Sequence, residues 1–347
     1  MQEKAGFEDD FVRFYNSHIG TACDGSGVGL KIADEFGELT FCNGIVKTEN
    51  GVISCTIDIR VPVTFKKDDI LNRIEGNLED ENGRIALCTL SSINWGAFRH
   101  PEEMRRACRI LHRGLHNLLQ YQEFLTVQSQ KHNEEFEPLG VGITNLAYWH
   151  AKRKFKYGEA EALAEVKRWM EHQAFYLTEM SVELAKEKGA CKESHNTFYG
   201  KGVFPWERRA NGVNELTDFT PELKWEPLRA DMIKYGVRNA TVSAIAPVES
   251  SSVILNSTNG ANFIKDLIVT KSSKAGDFVQ VVPEYRKLKK HYQHLLLWQQ
   301  KDCVDYLKTI AVLQVYVDQG ISADTFYSSR HYKDGKIPIT LIAKNLL

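Results

Sequence analysis

Three long amphipathic helices separated by short apolar runs constrain the larger part of this chain more than any other feature. Residues 101–125 place Met104, Cys108, Leu111, Leu115, Leu118 and Leu119 on one side of a helix. Residues 159–188 repeat the period with Leu163, Val166, Met170, Leu177, Met180 and Leu184. Lys186 and Lys188 fill its last turn, and Gly189 stands at the expected stop. Residues 303–318 form a third such helix through Cys303, Leu307, Ile310, Leu313 and Val317. Between them lie short β-like runs at 85–90, 240–246 and 278–282. Strands alternating with long helices predict βα units and a mostly parallel sheet.

A chain of 347 residues can carry such a unit and one more. Its 43% hydrophobic and 26% charged residues are those of a globular protein with a large core. The net charge of −1 gives no support to a nucleic-acid or membrane-surface role. No apolar stretch is long enough to span a bilayer, and the polar start of the chain does not read as a secretory signal. Seven scattered cysteines predict free thiols in a reducing, cytoplasmic setting.

The remaining residues, 1–76, read as a small α+β domain. Phe7, Phe11, Phe14 and Ile19 lie close to one face of a helix over 7–20. The alternate glycines Gly25, Gly27 and Gly29 fit either a turn or a weak phosphate loop, with no preceding strand and no following Lys-Ser/Thr. Asn50-Gly51 is a type I′ hairpin dipeptide. After it Ile53, Cys55, Ile57, Ile59 and Val61 alternate with polar residues, which predicts a half-buried antiparallel strand. A short helix follows over 67–74, ended by Gly76.

The most informative chemistry lies at residues 238–260. A short strand runs into Pro247, and Glu249, Ser250, Ser251 and Ser252 then open an apolar helical stretch. Serine hydroxyls and first-turn amides suit a phosphate. The same residue types also serve simple helix capping.

This segment resembles the substrate-diphosphate loop of the large subunit of class I ribonucleotide reductase. Further stretches are similar to the family in its own order. They are Glu81-Asn82-Gly83-Arg84-Ile85-Ala86-Leu87-Cys88-Thr89-Leu90-Ser91, Gly140-Val141-Gly142-Ile143, residues 183–191, Val281-Val282-Pro283-Glu284-Tyr285 and residues 321–325. The resemblance covers about residues 77–347. It implies an α/β fold: an incomplete ribonucleotide-reductase-type barrel, a parallel half-barrel with helices. It implies reduction of ribonucleoside diphosphates to deoxyribonucleotides, with Cys88 as one of the reducing cysteine pair. Val248, Glu249, Ser250, Ser251 and Ser252 would hold the diphosphate. No cofactor or metal is expected on this chain. A radical from a separate small subunit and a dithiol reductant are implied.

Departures from the family are specific. Its Asn-x-Cys-x-Glu finger loop is missing before Cys88, where Leu71-Asn72-Arg73-Ile74-Glu75-Gly76 stands instead. Its first barrel half, with the second cysteine, and its C-terminal tyrosine and cysteine pairs have no counterpart here. Asn262-Phe263-Ile264-Lys265 replaces a proline-containing loop. A complementary polypeptide is therefore the expected partner, and the open sheet edges of a half-barrel predict an oligomer. The alternative is a non-catalytic chimeric chain that retains nucleotide binding.

Residues 7–75 resemble the lid domain of a zinc dipeptidase, a ferredoxin-like α+β sandwich. In that family the arginine matching Arg60 helps hold a substrate carboxylate, although an arginine on a polar strand face is also simply solvated. The metal ligands of that family have no counterpart here, so dipeptidase activity is not expected. His112 and His116, four apart on a helix, and His291 and His294 are expected on solvated helix faces. Lys287, Lys289, Lys290 and His291 form a surface basic cluster.

Overall fold

The dipeptide Asn50-Gly51 stands between two strands that pair across it. The structure, a computed structural model, describes residues 28–34, 37–49, 52–57, 83–87, 89–273 and 276–346. Two units divide the chain, Met1–Gly83 and Arg84–Leu347. In the first, β1 (Val28–Asp34), β2 (Gly37–Glu49) and β3 (Val52–Ile57) form an antiparallel meander. Glu49 faces Val52 across residues 50 and 51, so the expected hairpin is present. Val28 and Gly29, expected in a turn or loop, belong to β1. The expected helices at 7–20 and 67–74, residues 24–27, residues 58–61 with Arg60, and Cys88 lie outside the described residues.

The second unit begins with β4 (Thr89–Asn94), α1 (Met104–Tyr121), α2 (Val127–Phe136) and β5 (Leu139–Thr144). It continues through α3 (Leu146–Arg153), α4 (Ala160–Lys188), α5 (Trp225–Tyr235) and α6 (Glu249–Ile254). A hairpin of β6 (Ile268–Ser273) and β7 (Gly276–Val281) precedes α7 (Tyr285–Tyr292), α8 (Val304–Gln314) and α9 (Ile339–Leu346). β4 and β5 pair in parallel, from Thr89 opposite Leu139 to Asn94 opposite Thr144. Every residue of β5 is buried, as a strand covered on both faces must be.

Three strand expectations need correction. The run at 85–90 becomes strand only from Thr89. Upstream, the Ile85 amide bonds to the Gln128 carbonyl and Arg84 forks onto Glu135 at 2.5 and 2.6 Å, so the chain follows α2 rather than β5. The run at 240–246 is not a regular strand but lies against β5. Leu139 and Val141 donate to the Thr241 and Val242 carbonyls at 2.9 and 3.0 Å, with a parallel bridge between Val141 and Ser243. The Asp318 carboxylate takes the amides of Val242 and Ser243, which are then not available to a further strand. The run at 278–282 belongs to the antiparallel β6–β7 hairpin, because a connection of residues 274–275 is too short for a parallel crossover. Among the described residues no barrel is closed. None of their helices is long and apolar enough to cross a membrane.

Gly142 lets residues 241–244 approach β5. A Cβ there would stand 2.4 Å from the Ala244 carbonyl oxygen, which is backbone and cannot swing aside. Gly142→Ala is expected to destabilise the unit by on the order of 1–3 kcal/mol. Urea denaturation checks this, and an unchanged midpoint would mean that residues 241–244 are not held against β5.

The helices start and stop close to their expected positions, and α1 lies alongside α4. Arg105, Arg109 and Arg113 reach Glu179, Glu183 and Glu187 at 2.7, 2.7 and 2.6 Å. Each step advances one turn on both helices, so the two run in the same direction. These pairs are partly exposed and individually worth little, but they fix which faces meet. That face-setting corrects the reading of His112 and His116, which are fully buried rather than solvated. With the arginine row outward, Cys108, His112, Leu115, His116 and Leu119 turn inward together. The core also holds Trp95, Trp149 and Trp169, with ring centroids 5.4 to 5.6 Å apart.

Candidate functional site

Parallel strands end on one side, and ligands of α/β proteins gather there. β4 ends at Asn94 and β5 at Thr144, while residues 241–244 lead to Val248 on that side. Asn145, immediately after β5, has φ 71° and ψ 25°. A left-handed backbone costs most residues strain but is tolerated by asparagine. Its side chain does not cap the α3 helix that it precedes. It crosses between strand ends instead. Asn145 Nδ2 donates to Asn94 Oδ1 at 3.0 Å, and Asn145 Oδ1 accepts from the Thr258 amide at 2.9 Å and the Thr258 hydroxyl at 3.1 Å. The Asn145 and Leu146 amides donate to the Thr258 and Gly260 carbonyls, and Thr144 Oγ1 adds a bond of 3.0 Å to the Thr258 carbonyl.

The next residue carries the connection to α6. Asn259 Oδ1 accepts the Val248 amide at 2.9 Å, and Asn259 Nδ2 donates to Glu249 Oε1 at 2.8 Å. Gln280 of β7 holds the far side, donating to the Ser252 and Ser257 carbonyls at 3.3 and 3.1 Å. Five side chains, Asn94, Asn145, Thr258, Asn259 and Gln280, thus fix the position of a six-residue helix. No local sequence pattern marks them as a group, because their partners are far along the chain.

The expected diphosphate residues fall into different settings. Val248 is nearly buried beside Gly260. Glu249 and Ser251 are exposed. Ser252 is buried, and its hydroxyl donates to the Glu249 carbonyl at 2.8 Å, so it braces the turn. Ser250 lies in the first turn of α6, where amides lack intrahelical partners. The N-cap residue is Val248, which offers no side-chain cap, so the serines follow the N-cap position rather than occupy it. A cleft of about 720 Å³ is lined by Glu249, Asn259, Phe263, Lys265, Tyr306 and Phe326 among others. That size suits a ligand of nucleotide dimensions. Tyr306 donates to Asn262 Oδ1 at 2.7 Å, and burial pushes its phenol up to about 12, so it stays neutral.

Other expected residues lie elsewhere. Cys88, just before β4, is outside the described residues. Burial pushes the thiols of Cys108 and Cys191 up to about 12, which keeps them protonated and unreactive. His112 Nε2 meets Asn239 Oδ1 at 2.8 Å, and the orientation of that amide is set by Asn239 Nδ2 donating to the Glu137 carbonyl. His116 lies between Glu137 at 3.2 Å and Lys188 at 3.3 Å. Among the described residues, no three His, Cys, Asp or Glu side chains converge as metal ligands. Lys287, Lys289 and Lys290 are exposed on α7, as expected of a solvated basic face, and His291 is half-buried.

A family model of the ribonucleotide reductase barrel domain matches residues 63–344. The ribonucleoside-diphosphate reductase subunit alpha of Buchnera aphidicola from Schizaphis graminum is 39% identical over 271 residues, 78% of this chain and 35% of that protein. The Haemophilus influenzae subunit alpha is 38% identical over 271 residues, 78% of this chain and 36% of its own length. The subunit alpha of Enterobacteria phage T4 is 30% identical over 273 residues, again 78% of this chain and 36% of that protein. The chain thus spans little more than a third of the length of these relatives. With the family model covering most of its residues, the chain belongs to the ribonucleotide reductase family, in the barrel domain of that family.

Proposed function

We propose that this chain is part of a ribonucleoside-diphosphate reductase large subunit. It would act on ribonucleoside diphosphates by thiyl-radical chemistry once a complementary polypeptide supplies the finger loop and the other half of the barrel. Residues 248–251 hold the diphosphate through the backbone amides and serine hydroxyls of the first turn, Glu249 through its N–H and not its carboxylate, with Ser252 bracing the turn. Cys88 serves as one of the two reducing thiols. A separate small subunit supplies the radical, and an external dithiol restores the cysteine pair. The working assembly is oligomeric and cytoplasmic. For residues 7–75 we infer a ferredoxin-like domain similar to a dipeptidase lid, without peptidase chemistry.

The observation that carries this reading is the fixing of Val248 and Glu249 at the strand ends through Asn94, Asn145, Thr258 and Asn259. Such bracing preorganises a loop for an anion, which lowers the ordering cost of binding. Calorimetric titration of the 347-residue chain with cytidine diphosphate, and with cytidine as control, tests it. The expected result is binding that requires the diphosphate. No binding of either ligand by folded protein would refute the cradle.

A second reading is a chimeric chain without catalysis that retains nucleotide binding. It is favoured by the absence of an Asn-x-Cys-x-Glu sequence before Cys88. Isolation of native complexes separates the two. A partner carrying the finger loop supports the reductase, and its consistent absence supports the chimera.

A further inference from the structure

We propose that Asn259 is a positioning residue that holds the Glu249 carboxylate away from the bound diphosphate. This inference rests on the diphosphate reading of residues 248–252. The cradle has an electrostatic difficulty, because it places a carboxylate in the same turn that must accept a multiply charged anion. Like charges at such short range disfavour binding, and an exposed glutamate has several rotamers that would bring its oxygens over the turn.

Asn259 addresses this with both ends of one amide. Its Nδ2 donates to Glu249 Oε1 at 2.8 Å, while its Oδ1 accepts the Val248 amide at 2.9 Å. The two bonds set the amide orientation, since reversing it would place the donor group against the Val248 N–H and an acceptor against the carboxylate. The backbone of Asn259 is itself fixed. Thr258 on one side is gripped by Asn145 Oδ1 through its amide and hydroxyl. Gly260 on the other has φ 48° and accepts the Leu146 amide at 3.2 Å. The latch is therefore tied to the end of β5, not to a free loop. Glu249, Asn259 and Thr258 also line the cleft, so the latch sits beside the space a nucleotide would occupy.

If Asn259 acts on Glu249, its loss should be repaired by removing the charge it restrains. Asn259→Ala is expected to weaken cytidine diphosphate binding about tenfold or more by calorimetry. Adding Glu249→Gln should return the affinity to within about threefold of wild type. Asn259→Asp keeps an acceptor for the Val248 amide but loses the donor to Glu249. It is expected to weaken binding too, and it serves if the alanine variant melts early. Persistent weakness after Glu249→Gln would assign Asn259 a purely structural role and overturn the latch. So would wild-type affinity in both single variants. Failure of the unaltered chain to bind the diphosphate would refute the cradle reading and the latch together. Binding by that chain with no effect of the substitutions refutes the latch alone.

Discussion

Acidification from pH 7 to pH 5 is expected to remove about half of the stability contributed by two neutral buried histidines, with the remainder lost as the pH falls through and below about 4. His112 and His150 are completely buried, and burial lowers both to about 4. At His112 the Asn239 bond opposes that shift, while His116 and Arg113 reinforce it. At His150 the Leu146 carbonyl opposes it and Arg153 reinforces it. An unfolded histidine takes its proton near pH 6.5. Between 6.5 and 4 the unfolded chain therefore binds protons that the native chain refuses. The contribution is whole above pH 6.5 and is lost as pH falls. Each histidine accounts for on the order of 3 kcal/mol. Together they rival the ~5–15 kcal/mol that a folded domain possesses.

Carboxylates act lower on the scale. The Arg84 hydrogen bond holds Glu135 below the usual range, so its contribution disappears only in stronger acid. Urea denaturation between pH 7 and 5 follows the histidines, with His132, also lowered by burial, adding to the slope and Asp318, raised by burial, opposing it. Stability should fall with a slope approaching two protons, and His112→Gln/His150→Gln should make it markedly shallower. A flat wild-type profile, or an equal slope in the double variant, would show that these side chains are not held neutral.

Glu171→Ala should produce the largest single-site loss of stability, about 3–5 kcal/mol. Glu171 is fully buried in α4 and meets Lys167 one turn earlier at 2.8 Å. Its other oxygen accepts the Glu222 and Leu223 amides at 2.7 and 2.9 Å and the Trp225 indole N–H at 3.1 Å. Lys167 also donates to the Thr220 carbonyl at 2.7 Å. This one pair thus ties residues 220–225 to the core. Alanine would leave a buried ammonium with only the more distant and exposed Glu222 carboxylate, at 3.4 Å, as counter-charge, and three donors without an acceptor. At ~2–4 °C per kcal/mol for a domain of this size, Tm should fall by roughly 10 °C. Lys167→Met/Glu171→Leu should recover the part due to the stranded charge, but not the part due to the orphaned donors. A Tm change under about 2 °C in Glu171→Ala would place the pair in water.

Much of the architecture was legible in residue order because it depends on local rules. The apolar period located the long helices within a few residues, and Gly189 marked a real stop. Asn50-Gly51 located a hairpin. Residues 278–282 read as part of a parallel sheet and prove antiparallel, because an apolar run does not declare its partner. The nearby Lys274-Ala275-Gly276 was the available sign of a tight antiparallel turn. His112 and His116 depart from their expected solvated positions for another reason. A polar residue on an amphipathic helix reads as solvated until its distant partners are in place, and here Asn239 meets His112 while Glu137 and Lys188 meet His116. The segment 248–252 stood out by its composition, yet composition could not show that Ser252 turns inward while Ser251 remains exposed.

Residue order is enough for the long helices, the hairpin at residues 50–51 and the family-like segments, because each arises from residues a few positions apart. Tertiary structure alone decided what braces the candidate site. Asn145 and Thr258 stand 113 residues apart, and Lys167 reaches Thr220 across 53. No local pattern encodes such a pairing. A buried amide or carboxylate must find a partner wherever the folded chain brings one, and only the packed strands and helices settle which partner that is.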